Sequence, residues 1–327
     1  MAIQRRRLLL GAGAGVMAGL SGVSASAQQD AWPVRQVRFV IPFAPGGGQD
    51  VFWRILADRL SRRMRASFIV ENKGGAGGGL GAQEVVRAVP DGGTFLTTTS
   101  SIAILPALYP SLGFDPERDL TPVTTLCEVG SAILVRTDSP FRSLSDLIAR
   151  AKVEPGKVTY GSGGVGSSNH LVGSLFASMA GIEVTHVPYR GVAQAMTAVY
   201  AGEIDFGVSS MLELLGHVRQ GRVRLLGVTT TRRLHAVPEV PTIAEALPGF
   251  SASSWFGMFG PRGLPPALVA RLTPELDALR DDEELKARLA ASAAVMLLDG
   301  PARLAARMSE DVAKWKGVVA RAGIRAE

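Results

Sequence analysis

Sulfur and imidazole are scarce in this chain, whose 327 residues include one cysteine, Cys127, and four histidines. A single thiol excludes an internal disulfide and any multi-thiolate zinc or iron–sulfur site. His170, His186, His217 and His235 form no pair at metal-ligand spacing, so each reads as a packed or surface histidine and no metal is expected. Charged residues are 20% of the chain, and a net charge of +6 gives little footing for a polyanionic partner. Long apolar runs are missing too. The stretch from Leu8 to about Val23 is diluted by Gly11, Gly13, Gly15 and Gly19, and it falls short of the ~20 residues a membrane span needs.

What is present suits a large core: 46% of residues are apolar and the mean hydropathy is +0.20. One or two globular domains are expected from that length and composition. The N-terminus reads as a secretory signal over residues 1–27, with Arg5-Arg6-Arg7, a short apolar run and Ala25-Ser26-Ala27 as a small-x-small cleavage site. Arg5-Arg6 followed by Leu8-Leu9 fits twin-arginine export, and three arginines fit the general route equally well, so the route stays open. No cysteine follows the cleavage site to carry a lipid, so the mature product is expected in the periplasm. Without the leader's three arginines the net charge is only +3. Arg54, Arg59, Arg62, Arg63 and Arg65 fall at helical spacing and read as a solvated helix face, not as a nucleic-acid surface.

The mature chain alternates strand and helix. Val37–Phe43 is a short β-branched strand that stops at Ala44-Pro45-Gly46-Gly47-Gly48-Gln49-Asp50, and a helix with Val51, Ile55, Leu56, Leu60 and Met64 on one face follows. Ser67–Val70, Leu80–Ala88 and Thr94–Thr99 continue as strand, helix and strand, the last ending in Ser100-Ser101. The arrangement then recurs: Lys157–Tyr160 as strand, Gly161–Ser168 as a glycine loop, Asn169–Ala180 as helix, then Val184–Pro188 as strand. Leu225–Thr230 and Ser253–Phe259 read as later strands, and helices fill the chain from Pro266 to Ala322. This alternation predicts an α/β protein of two similar lobes that present their glycine loops to a shared cleft. The expected division is 28–126 for the first part of lobe 1, 127–252 for lobe 2, and 253–327 for a return to lobe 1, with its helices packed there.

Gly161-Ser162-Gly163-Gly164-Val165-Gly166 satisfies the dinucleotide pattern G-x-G-x-x-G. The next strand, however, ends at Tyr189-Arg190, where a ribose-binding acid is wanted, and Glu183 stands at its wrong end, so no cofactor is expected. Gly166-Ser167-Ser168-Asn169-His170 lacks the final glycine of a nucleophile elbow, and Ser168 and His170, two apart at a helix start, project in different directions. What both loops do supply is unpaired backbone N–H groups at helix N-termini, a setting that favours small carboxylates. Ser100, Ser101, Ser162, Ser167 and Ser168 add neutral hydroxyls.

Several motifs in order carry a family resemblance: V-I-P-F-A-P-G-G-G-Q-D at 40–50, V-E-N-K-G-G-A-G-G at 70–78, P-D-G-G-T at 90–94 and Y-G-S-G-G-V-G-S-S-N-H-L at 160–171. H-V-P-Y-R-G at 186–191, V-P-T-I-A-E at 240–245 and S-W-F-G-M-F-G-P at 254–261 follow. The chain resembles the Bug-type, or TctC, solute receptors of tripartite tricarboxylate transporters over essentially its whole mature length. The resemblance implies a type II-like two-lobed periplasmic binding fold with two crossovers and a ligand cleft between the lobes. It implies a monomer that binds without catalysis and docks on membrane permease subunits. Its ligand would be a dicarboxylate, tricarboxylate or aromatic carboxylate.

Carried onto this sequence, the family's ligand-binding positions are Phe43, Ala44, Gly47, Gly48, Gln49 and Asp50 in the first loop. In the second they are Ser162, Gly163, Ser167, Ser168 and His170, with Ser100, Ser101, Tyr189, Arg190, Gly191 and Ser209 lining the rest. Gln49 stands where the family often has threonine. Ser209-Ser210 replaces a common Asp-Asn pair, which disfavours an amino-acid ligand. Two other readings share this cleft: a periplasmic subunit that presents its ligand to a sensor, and an exported enzyme.

Overall fold

The computed structural model describes residues 32–324 apart from Val34, Ala44, Gly46, Gly47, Pro110, Arg190 and Ser292. The signal peptide expected over 1–27 lies outside the described residues.

Two sheets organise the chain. The first has the strand order β11-β4-β10-β3-β1-β2, built from β1 (Gln36–Ile41), β2 (Ser67–Asn72), β3 (Thr94–Thr99), β4 (Leu120–Val129), β10 (Ser254–Pro261) and β11 (Ala294–Met296). The second has the order β7-β6-β8-β5-β9, from β5 (Ser131–Arg136), β6 (Thr159–Ser162), β7 (Thr185–Pro188), β8 (Phe206–Ser210) and β9 (Val223–Val228). β3 and residues 132–135 of β5 are apolar or neutral and buried along nearly their whole length, as strands covered on both faces must be.

The two halves repeat one plan. β1 pairs in parallel with β2 on one side and β3 on the other, and β6 does the same with β7 and β8. An antiparallel strand then extends each triplet, β10 beside β3 and β5 beside β8. The helices Gly48–Met64 and Gly79–Val86 connect the first triplet, and Ser168–Ala180 and Val192–Ala201 the second. β1 and β6 are therefore the strands from which successive connections leave in opposite directions, and a crevice opens at their carboxyl ends. Both glycine loops start there.

Two strands of the second half differ in extent from the sequence pattern. β6 runs on to Ser162 because Gly161, which read as loop, lies under the Ile204 side chain, where only glycine leaves room. β9 begins at Val223 and ends at Val228, where Thr229 turns away to pair with Ser131.

The chain passes from the first sheet to the second at Gly130, a few residues beyond the expected division, and returns between Thr229 and Ser253. A Cβ at 130 would stand 2.9 Å from Thr230 Cγ2. The two passages are tied to each other. Ser131 N–H donates to Thr229 Oγ1 at 2.9 Å, Ala252 N–H to the Thr229 carbonyl at 3.2 Å, and the Ser253 hydroxyl to the Glu128 carboxylate.

The helices Pro266–Asp277, Glu283–Ala291 and Gly300–Ala322 follow β10. Arg59 of the Gly48–Met64 helix pairs with Asp282 (2.6 Å) and Glu284 (2.5 Å), and Arg63 with Glu275 (2.8 Å). Two of the five arginines that read as a merely solvated face, Arg59 and Arg63, thus hold the C-terminal helices through ion pairs. The last helix packs on β4, where Asp311 accepts from the buried Trp255 indole at 2.7 Å, and it also touches the Ser168–Ala180 helix of the second half. No helix of the described residues is long and apolar enough to cross a membrane.

Candidate functional site

A cleft of about 400 Å³ lies between the carboxyl ends of the two parallel triplets. The first half contributes Phe43, Gly77, Thr99, Ser101, Ile104, Leu105, Leu108 and Tyr109, and the second contributes Val165, Gly166, Ser167 and Ser168. Its size falls within the range of small-molecule sites.

The second loop owes its shape to a short hydrogen-bond network. Ser167 caps the helix Ser168–Ala180: its Oγ accepts from His170 N–H and donates to the Gly164 carbonyl at 2.7 Å. Gly166 sits at φ 75°, where a Cβ would lie 2.8 Å from Leu108 Cδ1, so the loop touches the opposite half directly. The Gly166 N–H donates to His170 Nδ1 at 3.0 Å, and Ser162 Oγ accepts from Gly164 N–H at 3.1 Å while bonding His186 Nε2 at 2.7 Å. The His170 and His186 rings stack 3.8 Å apart. Burial pushes both imidazoles down to about 4, helped at His170 by the neighbouring His186, and pushes the adjacent Tyr160 phenol up to about 12. Both histidines are therefore neutral at pH 7, which lets His170 Nδ1 act as an acceptor.

A second network supports the first loop. Asp50, 4% exposed, accepts from Arg54 Nε and from Asn72 Nδ2, each at 3.0 Å, and the same Asn72 amide reaches the Phe43 carbonyl at 3.1 Å. The loop is thereby fastened to the end of β2.

Four of the candidate residues meet in the cleft: Phe43, Ser101, Ser167 and Ser168. Others stand behind them. Asp50 braces the first loop, Gln49 is buried in the first turn of its helix, and Gly48 opens that helix. Ser100 turns away to Ser254 at 3.0 Å. Ser162 and His170 hold the second loop from beneath, Gly163 presses against Val192, and Tyr189 donates its N–H to the Ser162 carbonyl at 3.1 Å. Gly191 precedes the Val192–Ala201 helix. Ser209 is fully buried and spends its hydroxyl on Glu213 at 2.5 Å. Ala44, Gly47 and Arg190 lie outside the described residues.

Sequence reasoning missed the wall formed by Ile104, Leu105, Leu108 and Tyr109, along with Thr99 and Gly77, and did not single out Val165 and Gly166 within the second glycine loop it placed at the cleft. A signal for the wall was present: β3 is the third parallel strand of its unit, and whatever follows its carboxyl end belongs to the same crevice.

A family signature described as the tripartite tricarboxylate transporter family receptor, TctC, matches residues 52–324. The chain belongs to this family. It is 38% identical over 278 residues, 84% of this chain and 82% of the relative, to a UPF0065 protein in the tcbD-tcbE intergenic region of Pseudomonas sp. strain P51. Among solved structures, the periplasmic binding protein BugD shares 30% identity at a TM-score of 0.76, over 90% of this chain and 100% of that one. Rpa4515 of R. palustris, solved with adipate, shares 33% at 0.79 (90% and 100% covered), and MatC of Rhodopseudomonas palustris, with bound malate, 31% at 0.76 (88% and 100%). The two-lobed fold of periplasmic binding proteins is thus common to this chain and its relatives.

Proposed function

We propose that this receptor captures a small carboxylate between its lobes, releases it chemically unchanged, and delivers it to the membrane subunits of a tripartite transporter. The observation that carries the reading is the joint lining of one cleft by Phe43 and Ser101 from one half and Ser167 and Ser168 from the other. A ligand that touches both halves favours the closed arrangement by its differential affinity for it. Main-chain N–H groups at the start of Ser168–Ala180, with the hydroxyls of Ser101 and Ser168, supply donors for one carboxylate. The adipate and malate held by relatives agree with that chemistry.

In this reading the protein works in the periplasm as a monomer after cleavage near Ala27. Its lobes are 35–129 with 254–324, and 131–252. With Ser209 in place of an aspartate and engaged by Glu213, position 209 offers no carboxylate to an ammonium group, so glutamate and aspartate should bind more weakly than glutarate and succinate.

The test is calorimetry and thermal shift of the purified protein against mono-, di- and tricarboxylates, with recovery of the ligand by mass spectrometry. A tight native-state ligand at a hundred to a thousand times its Kd should add ~3 to 4 kcal/mol. Absence of any carboxylate binding, with consumption of an ester or other substrate, would replace the receptor reading by an enzyme using the same cleft.

A further inference from the structure

The cleft has two chemically distinct sides. The Ser101 and Ser168 hydroxyls, with the main-chain N–H groups at the start of Ser168–Ala180, form a donor edge in which the Thr99 and Ser167 hydroxyls are spent on Ser101 and Gly164. Phe43, Leu105, Leu108 and the ring of Tyr109, joined by Val165 from the other lobe, form a mainly apolar wall. The turn at Gly77 and Gly78 is what lets that wall close up. Both residues have positive φ, 63° and 101°, and a Cβ at 77 would stand 3.4 Å from Tyr109 Cε2, one at 78 equally near Phe43 Cζ. Their backbone therefore lies against the two rings with no side chain between. On the far side, Gly166 of the donor loop touches Leu108 of the wall. Donor edge and apolar wall are thus immediate neighbours around a space of about 400 Å³.

We infer, resting on the receptor reading above, that the ligand carries one carboxylate and an uncharged apolar body, an aryl or branched alkyl group, in preference to a hydroxylated polyacid. The carboxylate takes the donor edge. A second carboxylate or a hydroxyl turned to the wall would surrender its water to Leu105, Leu108 and Val165, which return no hydrogen bond. A hydrocarbon body there gains by leaving water. Val165 is 42% exposed and stands on the lobe opposite the rest of the wall, so an apolar body placed between them draws the lobes together.

Isothermal titration of the purified protein with benzoate, phenylacetate and 4-methylvalerate, against malate and citrate, tests this. At least one apolar-bodied acid should bind tenfold or more tightly than both hydroxy acids, and Tyr109→Gln should weaken that acid at least fivefold. Val165→Asn, at an exposed position that does not threaten folding, should weaken it in the same direction. Tighter binding of malate or citrate, or apolar-acid affinities untouched by both substitutions, would overturn the ligand class and leave the receptor reading standing. Failure of every carboxylate to bind would remove both.

Discussion

The imidazole of His170 lies flat on that of His186, centroids 3.8 Å apart and planes within 6° of parallel, although one residue belongs to the Ser168–Ala180 helix and the other to β7. Each ring spends a nitrogen on the second glycine loop, His170 on Gly166 N–H and His186 on the Ser162 hydroxyl. Two positive rings at that separation would repel, and a protonated His170 Nδ1 would face the Gly166 N–H donor to donor. The stack is therefore a device of the neutral state, and it couples the shape of the cleft loop to protonation beneath it.

A pH dependence of stability follows. Burial holds both imidazoles at about 4 in the folded chain, against an ordinary value of 6.5. Between those values the unfolded chain binds protons that the folded chain refuses, so the histidine contribution is whole above pH 6.5 and is lost as pH falls toward 4. His170→Asn keeps an acceptor near the Nδ1 position and cannot titrate. Its Tm should fall less steeply than that of the parent protein between pH 6.5 and 4.5, as measured by differential scanning calorimetry. Parallel profiles would show that the stack does not resist protonation.

Gly166 has two independent reasons to be glycine, its φ of 75° and the nearness of Leu108, whereas Gly181, at φ 61°, has open space around it. Gly166→Ala and Gly181→Ala should each cost about 1 to 2 kcal/mol for the left-handed backbone. Only Gly166→Ala should also lower ligand affinity, by tenfold or more, because its methyl group displaces Leu108 in the cleft. Chemical denaturation paired with titration calorimetry separates the two effects. Equal affinities in the two variants would detach Gly166 from the site.

Asp50 sits in the first glycine motif, yet its carboxylate is fully engaged at the base of the loop by Arg54 and Asn72. Asp50→Ala should lower stability by roughly 1 to 3 kcal/mol, since a buried charged acceptor and its bonds to Arg54 and Asn72 are lost. It should weaken ligand binding indirectly, through Asn72 and the Phe43 carbonyl. Asp50→Asn should recover part of both, because the amide oxygen still accepts from one partner. Thermal shift and affinity measured on the pair check this; no recovery in the asparagine variant would mean that the charge itself is what the loop requires.

The β-loop-α units were legible because a β-branched strand, a glycine run and an amphipathic helix are all local signals, and so Ser101, Ser167 and Ser168 could be placed at one cleft, to which the family resemblance added Phe43. The residues that turned out to stand behind the cleft share those motifs. Sequence spacing cannot tell Ser162, which holds Gly164 and His186, from Ser167, which faces the cleft, since two serines of one loop differ only in which way the backbone turns them. The apolar wall at Leu105, Leu108 and Tyr109 escaped notice because a short Leu-Pro-Ala-Leu helix is indistinguishable from core by composition. The strands of the passages between sheets, β4 and β5, meet their partners across more than seventy residues of chain, a separation that no local pattern records.

Those passages supply the last prediction. Ser254 of β10 is registered with Val129 of β4, and Glu128, just before the first passage, accepts from the hydroxyl of Ser253, at the end of the second. Glu128 also lies 3.8 Å from Arg307, which pairs with Asp299 at 3.2 Å, so the crossing strands are anchored to the C-terminal helix. Any opening of the lobes must bend the chain at this place, between Glu128 and Ser131 and between Thr229 and Ser253. Ser253→Ala removes the cross-link but leaves Glu128 with Arg307, which limits the stability loss to about 1 to 2 kcal/mol. With one tie between the passages gone and those at Thr229 to Ser131 and Ala252 kept, the ligand-free protein should open wider while the ligand-bound form stays as it is. The change in radius of gyration on ligand saturation, measured by small-angle scattering, should therefore be larger in Ser253→Ala than in the parent protein, and ligand affinity should fall because more of the free population is open. An unchanged scattering difference alongside the predicted stability loss would assign the Glu128 contact to packing alone and move the hinge elsewhere in the two passages.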